Sequence, residues 1–231
     1  MKRICRYLPL TILLLCCLQL ATAQSLIDVN VGFGSVHDKA STTGIDQLTY
    51  GSCSPAISAT CSKTSSLGGF FMGVGANLML WKHFGAGMDV TLQPGKATYA
   101  QLPANLNFGS PASTLQSRVT FYDINGIYQP LNTKRATFQL IGGIGGVNTK
   151  FYQNYVSSGS PLGSSNFSQY ASSANHFQMH AGAGVQVYVT DKVYIRPQFD
   201  IHYVPNFTEQ FGSKLTVQGM VWIGYTIGDR Q

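Results

Sequence analysis

Apolar and polar residues alternate with period two along most of this chain, the mark of strands whose two faces meet different surroundings. Ile27, Val29, Val31 and Phe33 interleave with Asp28, Asn30, Gly32 and Gly34. Phe70, Met72, Val74, Ala76, Leu78 and Leu80 interleave with Gly69, Phe71, Gly73, Gly75 and Asn77. Phe84, Ala86, Met88, Val90 and Leu92 oppose Gly85, Gly87, Asp89, Thr91 and Gln93. A fourth, less regular segment sets Tyr122, Ile124 and Tyr128 against Asp123 and Asn125. The fifth sets Phe138, Leu140 and Ile144 against Thr137, Gln139, Gly143 and Gly145. In the sixth, Phe177 to Val187 oppose His176, Gln178, His180, Gly182, Gly184 and Gln186. The seventh carries Val193, Ile195, Phe199, Ile201 and Tyr203 against Tyr194, Arg196, Gln198, Asp200 and His202. The last carries Leu215, Val217, Val221, Ile223, Tyr225 and Ile227 against Lys214, Thr216, Gln218 and Gly224. Each segment runs to about ten residues, enough for a tilted strand to cross the hydrocarbon core. None shows a helical period.

The connections alternate in length. Lys82–His83, Pro130–Arg135 and Asp191–Lys192 are short turns. His37–Ser66, Pro94–Thr114, Lys150–Ala174 and Pro205–Gly212 are long stretches rich in Ser, Gly, Asn and Pro, and they read as external loops. Short turns on one side and long loops on the other are the layout of an outer-membrane barrel. The expected fold is therefore all-β, an eight-stranded antiparallel up-and-down transmembrane β-barrel. Pro197 lies inside the seventh strand and calls for a bulge or a local break in pairing, because proline cannot donate to the ladder.

Composition decides which face meets lipid. Charged residues make up only 10% of the chain, and Glu209 is its one glutamate. A face exposed to water is normally richer in lysine and glutamate. The polar face here is glycine, asparagine, glutamine and threonine, which suits a crowded interior. Phe33, Phe70, Phe177 and Tyr203 sit near the long-loop ends of the apolar face, and Phe84, Tyr128, Phe138 and Tyr225 near its short-turn ends. Two aromatic girdles are expected at the two membrane interfaces.

The N-terminus carries Lys2, Arg3 and Arg6, an apolar run from Leu8 to Leu20, and the small-residue site Ala21-Thr22-Ala23. These are the parts of a secretory signal peptide cleaved after Ala23. The expected domains are 1–23, the signal peptide, and 24–231, the barrel. Removing 23 of 231 residues leaves 208, and the formal charge of +6 loses three basic residues to become +3. So modest a charge argues against nucleic-acid binding. Three of the five cysteines fall in the signal; Cys53 and Cys61 remain and are expected to form a disulfide in an oxidising compartment.

The chain resembles the bacterial outer-membrane β-barrel superfamily, in its branch of small eight-stranded, porin-family proteins similar to the OmpA transmembrane domain and OmpX. Arg196-Pro197-Gln198-Phe199, followed by Asp200, is similar to the penultimate strand common there. Trp222-Ile223-Gly224-Tyr225-Thr226-Ile227 is similar to the terminal strand recognised by the barrel-assembly machinery, although Ile227 and a polar tail follow Tyr225. The resemblance implies an outer-membrane location, lipid and the assembly machinery as partners, and a monomer.

The inward charges are Asp28, Asp89, Asp123, Arg196 and Asp200, with Lys214 near the mouth. They are expected to form a lumen network in which Arg196 pairs with aspartates, because an unpaired ion in a narrow barrel is costly. Eight strands leave an interior just wide enough for side chains. The expected role is non-enzymatic: structural, or surface interaction through long loops, including the aromatic stretch Phe151–Tyr170. The alternatives are a narrow channel for small solutes, a lipid-modifying enzyme, or a lipocalin-like carrier if the chain is soluble. His176, His180 and His202 are the candidate bases, but all fall on the inward face, and no GxSxG or HExxH pattern is present. His176 and His180 lie about 13 Å apart along one strand face, too far to share a metal. No catalytic residue, cofactor or metal is assigned.

Overall fold

The computed structural model describes residues 26–38, 67–102, 113–157 and 165–228. The segment 1–23 and the pair Cys53 and Cys61 lie outside the described residues. The strands are β1 (Leu26–Asp38), β2 (Phe70–Met79), β3 (Phe84–Leu92), β4 (Ala97–Leu102), β5 (Ser113–Asn132), β6 (Ala136–Ser157), β7 (Ser165–Tyr188), β8 (Val193–Tyr203) and β9 (Leu215–Ile227). Every pairing is antiparallel, and the order runs β3-β2-β1-β9-β8-β7-β6-β5-β4. A further pairing of β3 with β5, from Phe84 opposite Tyr128 to Leu92 opposite Thr120, closes the ring. β4 pairs with the far part of β5, Ala97 opposite Ser117, so β3 and β4 follow one another along the same neighbour. The ring therefore has eight staves. Closure leaves the lower barrel without a free edge, whereas β4 and the outer part of β7 are each paired on one side only.

The first and last strands meet, with Ile27 opposite Ile227 and Asp38 opposite Thr216. The short turns are tight. Trp81 donates its backbone N–H to Phe84 O at 3.0 Å, Thr133 to Ala136 O at 2.9 Å, and Val189 to Val193 O at 2.9 Å. Strand alternation places the predicted faces as expected. Ile27, Val74, Met88, Ile124, Ile144, Phe199 and Ile223 point outward and are exposed, whereas Asp28, Asn77, Asp123, Gln139, Gln178, Asp200 and Gln218 are buried inside. Phe33 stacks on Phe70 at 6.2 Å near one end, and Phe84 on Tyr128 at 4.9 Å near the other, as two girdles require.

Two of the expected long loops are mostly strand over their described residues. Pro94–Thr114 contains β4 and the start of β5, and Lys150–Ala174 contains the end of β6 and the start of β7. β6 and β7 reach 22 and 24 residues. At about 3.3 Å per residue each is roughly 70–80 Å long, well beyond an apolar band roughly 25 Å tall. In their outer parts the alternation continues with its sign reversed. On β5, Leu115, Ser117, Val119 and Phe121 are buried, while Gln116, Arg118 and Thr120 point the other way. On β6, Val147, Thr149 and Phe151 are inside, with Asn148 and Lys150 outside. On β1 the same switch comes at Val36, which is buried beside the exposed His37. Below the switch the barrel is apolar outside and polar inside. Above it the barrel is polar outside and apolar inside, as in a water-soluble protein. The outward row Thr120, Asn148, Asn175 marks the boundary, with Asn148 Nδ2 donating to Asn175 Oδ1 at 2.7 Å.

Pro197 sits opposite Val221 of β9 and points outward. Toward β7 the recorded pairs step from Gly184–Gln198 to Val187–Ile195 in unbroken register. The proline thus costs local pairing on one side and needs no bulge.

Trp222 fills the lumen and is 1% exposed. Its indole lies flat against Gly32 and Gly73. A Cβ at either position would come within 2.5 Å of the ring. Gly32→Val is expected to push the indole out of its slot and lower stability by about 1–3 kcal/mol. Denaturant unfolding of the refolded barrel, followed by tryptophan fluorescence, checks this; an unchanged midpoint would mean that the slot is not tight.

Candidate functional site: the lumen

The lumen is filled in three zones. At the long-loop mouth is an apolar plug. The connection after β8 does not stay outside as a loop. Its 3-10 turn, Phe207–Glu209, folds inward and buries Phe207 and Phe211 against Phe71, Phe121, Phe151, Val119 and Met220. Their rings lie 4.5 Å apart. Gln210 follows them in, and its Oε1 lies 3.2 Å from His176 Nε2. Leu67 joins the plug, with Asp38 N–H donating to Leu67 O at 3.2 Å. Phe207 and Phe211 stand four residues apart in a stretch whose Pro, Asn and Gly suggest an exposed loop. Their spacing was the one sequence signal that this stretch packs inward.

Directly beneath the plug is a layer of histidines and a carboxylate. His202 lies 5.0 Å from the Phe121 ring. It is the cross-strand partner of His180, and the two imidazoles are 5.2 Å apart. His180 Nδ1 lies 3.1 Å from Asp123 Oδ1. Gln178 bridges the group, donating to Asp123 Oδ1 at 2.7 Å while its Oε1 lies 3.0 Å from His202 Nδ1. One ligating atom from each of Asp123, His180 and His202 lies within 4.8 Å of the others, and all three residues are buried. Asp89 faces Asp123 across β3 and β5 and is hydrogen-bonded by the Asn125 amide. Asp200 is held by Gln198 Nε2 at 2.9 and 3.0 Å.

Toward the short-turn end lies Arg196. The expected contact with an aspartate is replaced by amides. Arg196 Nη1 donates to Gln139 Oε1 at 3.0 Å, Gln139 Nε2 donates to Gln186 Oε1 at 2.5 Å, and Gln186 Nε2 reaches Asp28 Oδ2 at 3.5 Å. With its amide turned so that the oxygen faces the guanidinium, Asn77 accepts from the same Nη1 at 2.9 Å. The guanidinium also lies 5.6 Å from the Trp222 ring. Thr226 Oγ1 donates to Asp28 Oδ1 at 2.6 Å. Two amide dipoles, aligned head to tail, thus connect the positive and negative ends. Here glutamines span the distance between the guanidinium and the carboxylate. All five predicted lumen residues, Asp28, Asp89, Asp123, Arg196 and Asp200, point inward. Lys214 is exposed at the rim.

The outer surface is the second element of the site. Exposed apolar side chains surround the lower barrel. A groove of about 610 Å³ on that surface is lined by Val74, Met88, Val90, Ile124, Ile144 and Phe177. Such a belt is stable only against hydrocarbon. The fold is an eight-stranded up-and-down β-barrel with its apolar face turned to lipid.

Comparison with solved structures finds likenesses at low sequence identity. Ail, the attachment invasion locus protein of Yersinia pestis, is 10% identical over 89% of this chain and 100% of its own, with a TM-score of 0.46. OprG of Pseudomonas aeruginosa is 12% identical over 88% and 96%, with a TM-score of 0.48. Neisserial surface protein A is 12% identical over 89% and 97%, with a TM-score of 0.40. No protein-family model matches the chain, and no curated protein matches it in sequence.

Proposed function

We propose that this barrel is a sealed, non-enzymatic anchor in the outer membrane that presents a rigid β-structured platform at the cell surface. The observation that carries the reading is the reversal of the alternation. A chain serving only as a pore needs no apolar core above the membrane. This one builds such a core and closes its mouth with Phe207 and Phe211. The outer parts of β5, β6 and β7, flanked by β4, then form a polar surface held clear of the lipid. Lys96 links two of these strands, donating to Ser168 Oγ at 2.6 Å and lying 4.0 Å from the Tyr152 ring centre. Such a platform suits recognition of an extracellular ligand or surface. Cleavage of residues 1–23, insertion as a monomer by the assembly machinery through β9, and a Cys53–Cys61 bridge in the β1–β2 connection complete the proposal.

Catalysis finds little support in the geometry. His180 and His202 are buried in the lumen, away from acyl chains, and His176 is engaged with Gln210 and edge-on to Phe207. Nucleophilic catalysis needs a hydroxyl within reach of a base, and these three rings meet amides, a carboxylate and aromatic rings.

Planar-bilayer recording tests the sealed lumen. The protein is expected to give no discrete conductance. Phe207→Ala combined with Phe211→Ala is expected to weaken the plug, each truncation of a buried phenylalanine costing about 3–5 kcal/mol, without opening a conducting path, because Trp222 and the amide chain still fill the lumen beneath. Steady conductance from the unaltered protein, unchanged by these substitutions, would instead favour a channel.

A further inference from the structure

We propose that Asp123, His180 and His202 form a buried binding site for a divalent transition-metal ion of the zinc class. The inference goes beyond the anchoring role and does not depend on it. Three staves converge to make the site. β7 and β8 place His180 opposite His202 in register, and β5 brings Asp123 to the same level. Two imidazoles and a carboxylate are a donor set suited to zinc and its neighbours, whereas calcium and magnesium take oxygen ligands. Their ligating atoms already lie within 4.8 Å of one another, with Asp123 and His180 at 3.1 Å. Around a tetrahedral ion with bonds of about 2.0–2.1 Å, ligands sit roughly 3.3 Å apart. Closing the remaining gap takes up to about 1.5 Å of relative movement among the three side chains.

Two further observations point to a cation. The first is an imidazole without a full complement of partners: His202 is 2% exposed, and its Nε2 has no hydrogen-bond partner. The second is the balance of charge. Asp28, Asp89, Asp123 and Asp200 face a lumen in which Arg196 is the buried guanidinium. Asp89 and Asp123 are direct cross-strand partners on one face, an arrangement that is unfavourable for like charges. A divalent ion between Asp123 and the histidines offsets that repulsion. The surroundings are arranged as around a metal. Gln178 contacts both Asp123 and His202, fixing two of the ligands, and Phe121 covers His202 on the plug side.

The test is to unfold the protein with a chelator, refold it in detergent with one equivalent of Zn²⁺ or Co²⁺, and remove excess metal. About one ion per chain is expected by elemental analysis. The cobalt form should show the intense visible absorption of a four-coordinate site. His180→Gln with His202→Gln should weaken binding by at least tenfold. His83→Gln, in the short turn between β2 and β3, where the ring meets Gln129 O, should leave it unchanged. Heat-dependent gel mobility reports whether each variant has folded. If the double variant does not fold, the cobalt spectrum of the unaltered protein decides alone: weak six-coordinate absorption would overturn the site. Absence of bound metal in the unaltered protein, or equal binding by a folded double variant, would overturn it as well.

Discussion

Ile124→Arg is expected to prevent efficient refolding, because it places a guanidinium in the middle of the lipid-facing belt. Ile124 is 67% exposed, and it touches little protein that the arginine could disturb. In a water-soluble protein such a change would shift stability by no more than about 0.5 kcal/mol. At the centre of a bilayer it costs about 2–4 kcal/mol. Thr120→Arg, two outward positions along the same strand, lies in the row that marks the boundary with water, where the cost falls to about 0–1 kcal/mol. The contrast between the two positions, measured as urea midpoints in vesicles, is what matters. Equal and small effects would mean that the apolar face does not meet lipid.

Arg196→Ala is the second large effect. The substitution removes the lumen guanidinium from Gln139, from Asn77 and from the face of Trp222. It also leaves the inward carboxylates without their buried cation. Removing one member of a buried ionic arrangement costs about 3–5 kcal/mol. If charge compensation through the two glutamines is the reason, Asp28→Asn in the same chain should recover part of the loss. A double-mutant cycle between these positions should give coupling of about 0.5–3 kcal/mol, within the range for residues in one hydrogen-bond network. Zero coupling would mean that Arg196 acts only through Trp222 and its immediate neighbours.

The membrane part of this fold was legible because lipid outside and amides inside impose one sign of alternation on eight segments. Asp28, Asn30 and Gly32 in β1, or Tyr194, Arg196 and Gln198 in β8, could be assigned to the lumen from spacing alone. The upper barrel was harder to read. In water the alternation of Leu115, Val119 and Phe121 with Gln116, Arg118 and Thr120 reverses, and strands rich in Ser and Asn have the composition of loops. The plug was missed because Phe207 and Phe211 lie in a connection where neither period applies. The metal-binding arrangement was missed for another reason. Spacing along one strand sets His176 apart from His180, but the cross-strand partner of His180 is His202, on the next strand. Register across strands depends on turn geometry and packing, so a list of inward residues does not show which of them meet.

The most direct test of the central claim, a barrel with its apolar face toward lipid, is gel mobility after dilution of the urea-unfolded protein into buffer with or without phospholipid vesicles. A compact, fast-migrating band that forms only with vesicles, and reverts to the unfolded position on boiling, is the predicted result. A folded, soluble species formed equally well in plain buffer would contradict it, and would turn the apolar face inward to line a ligand pocket.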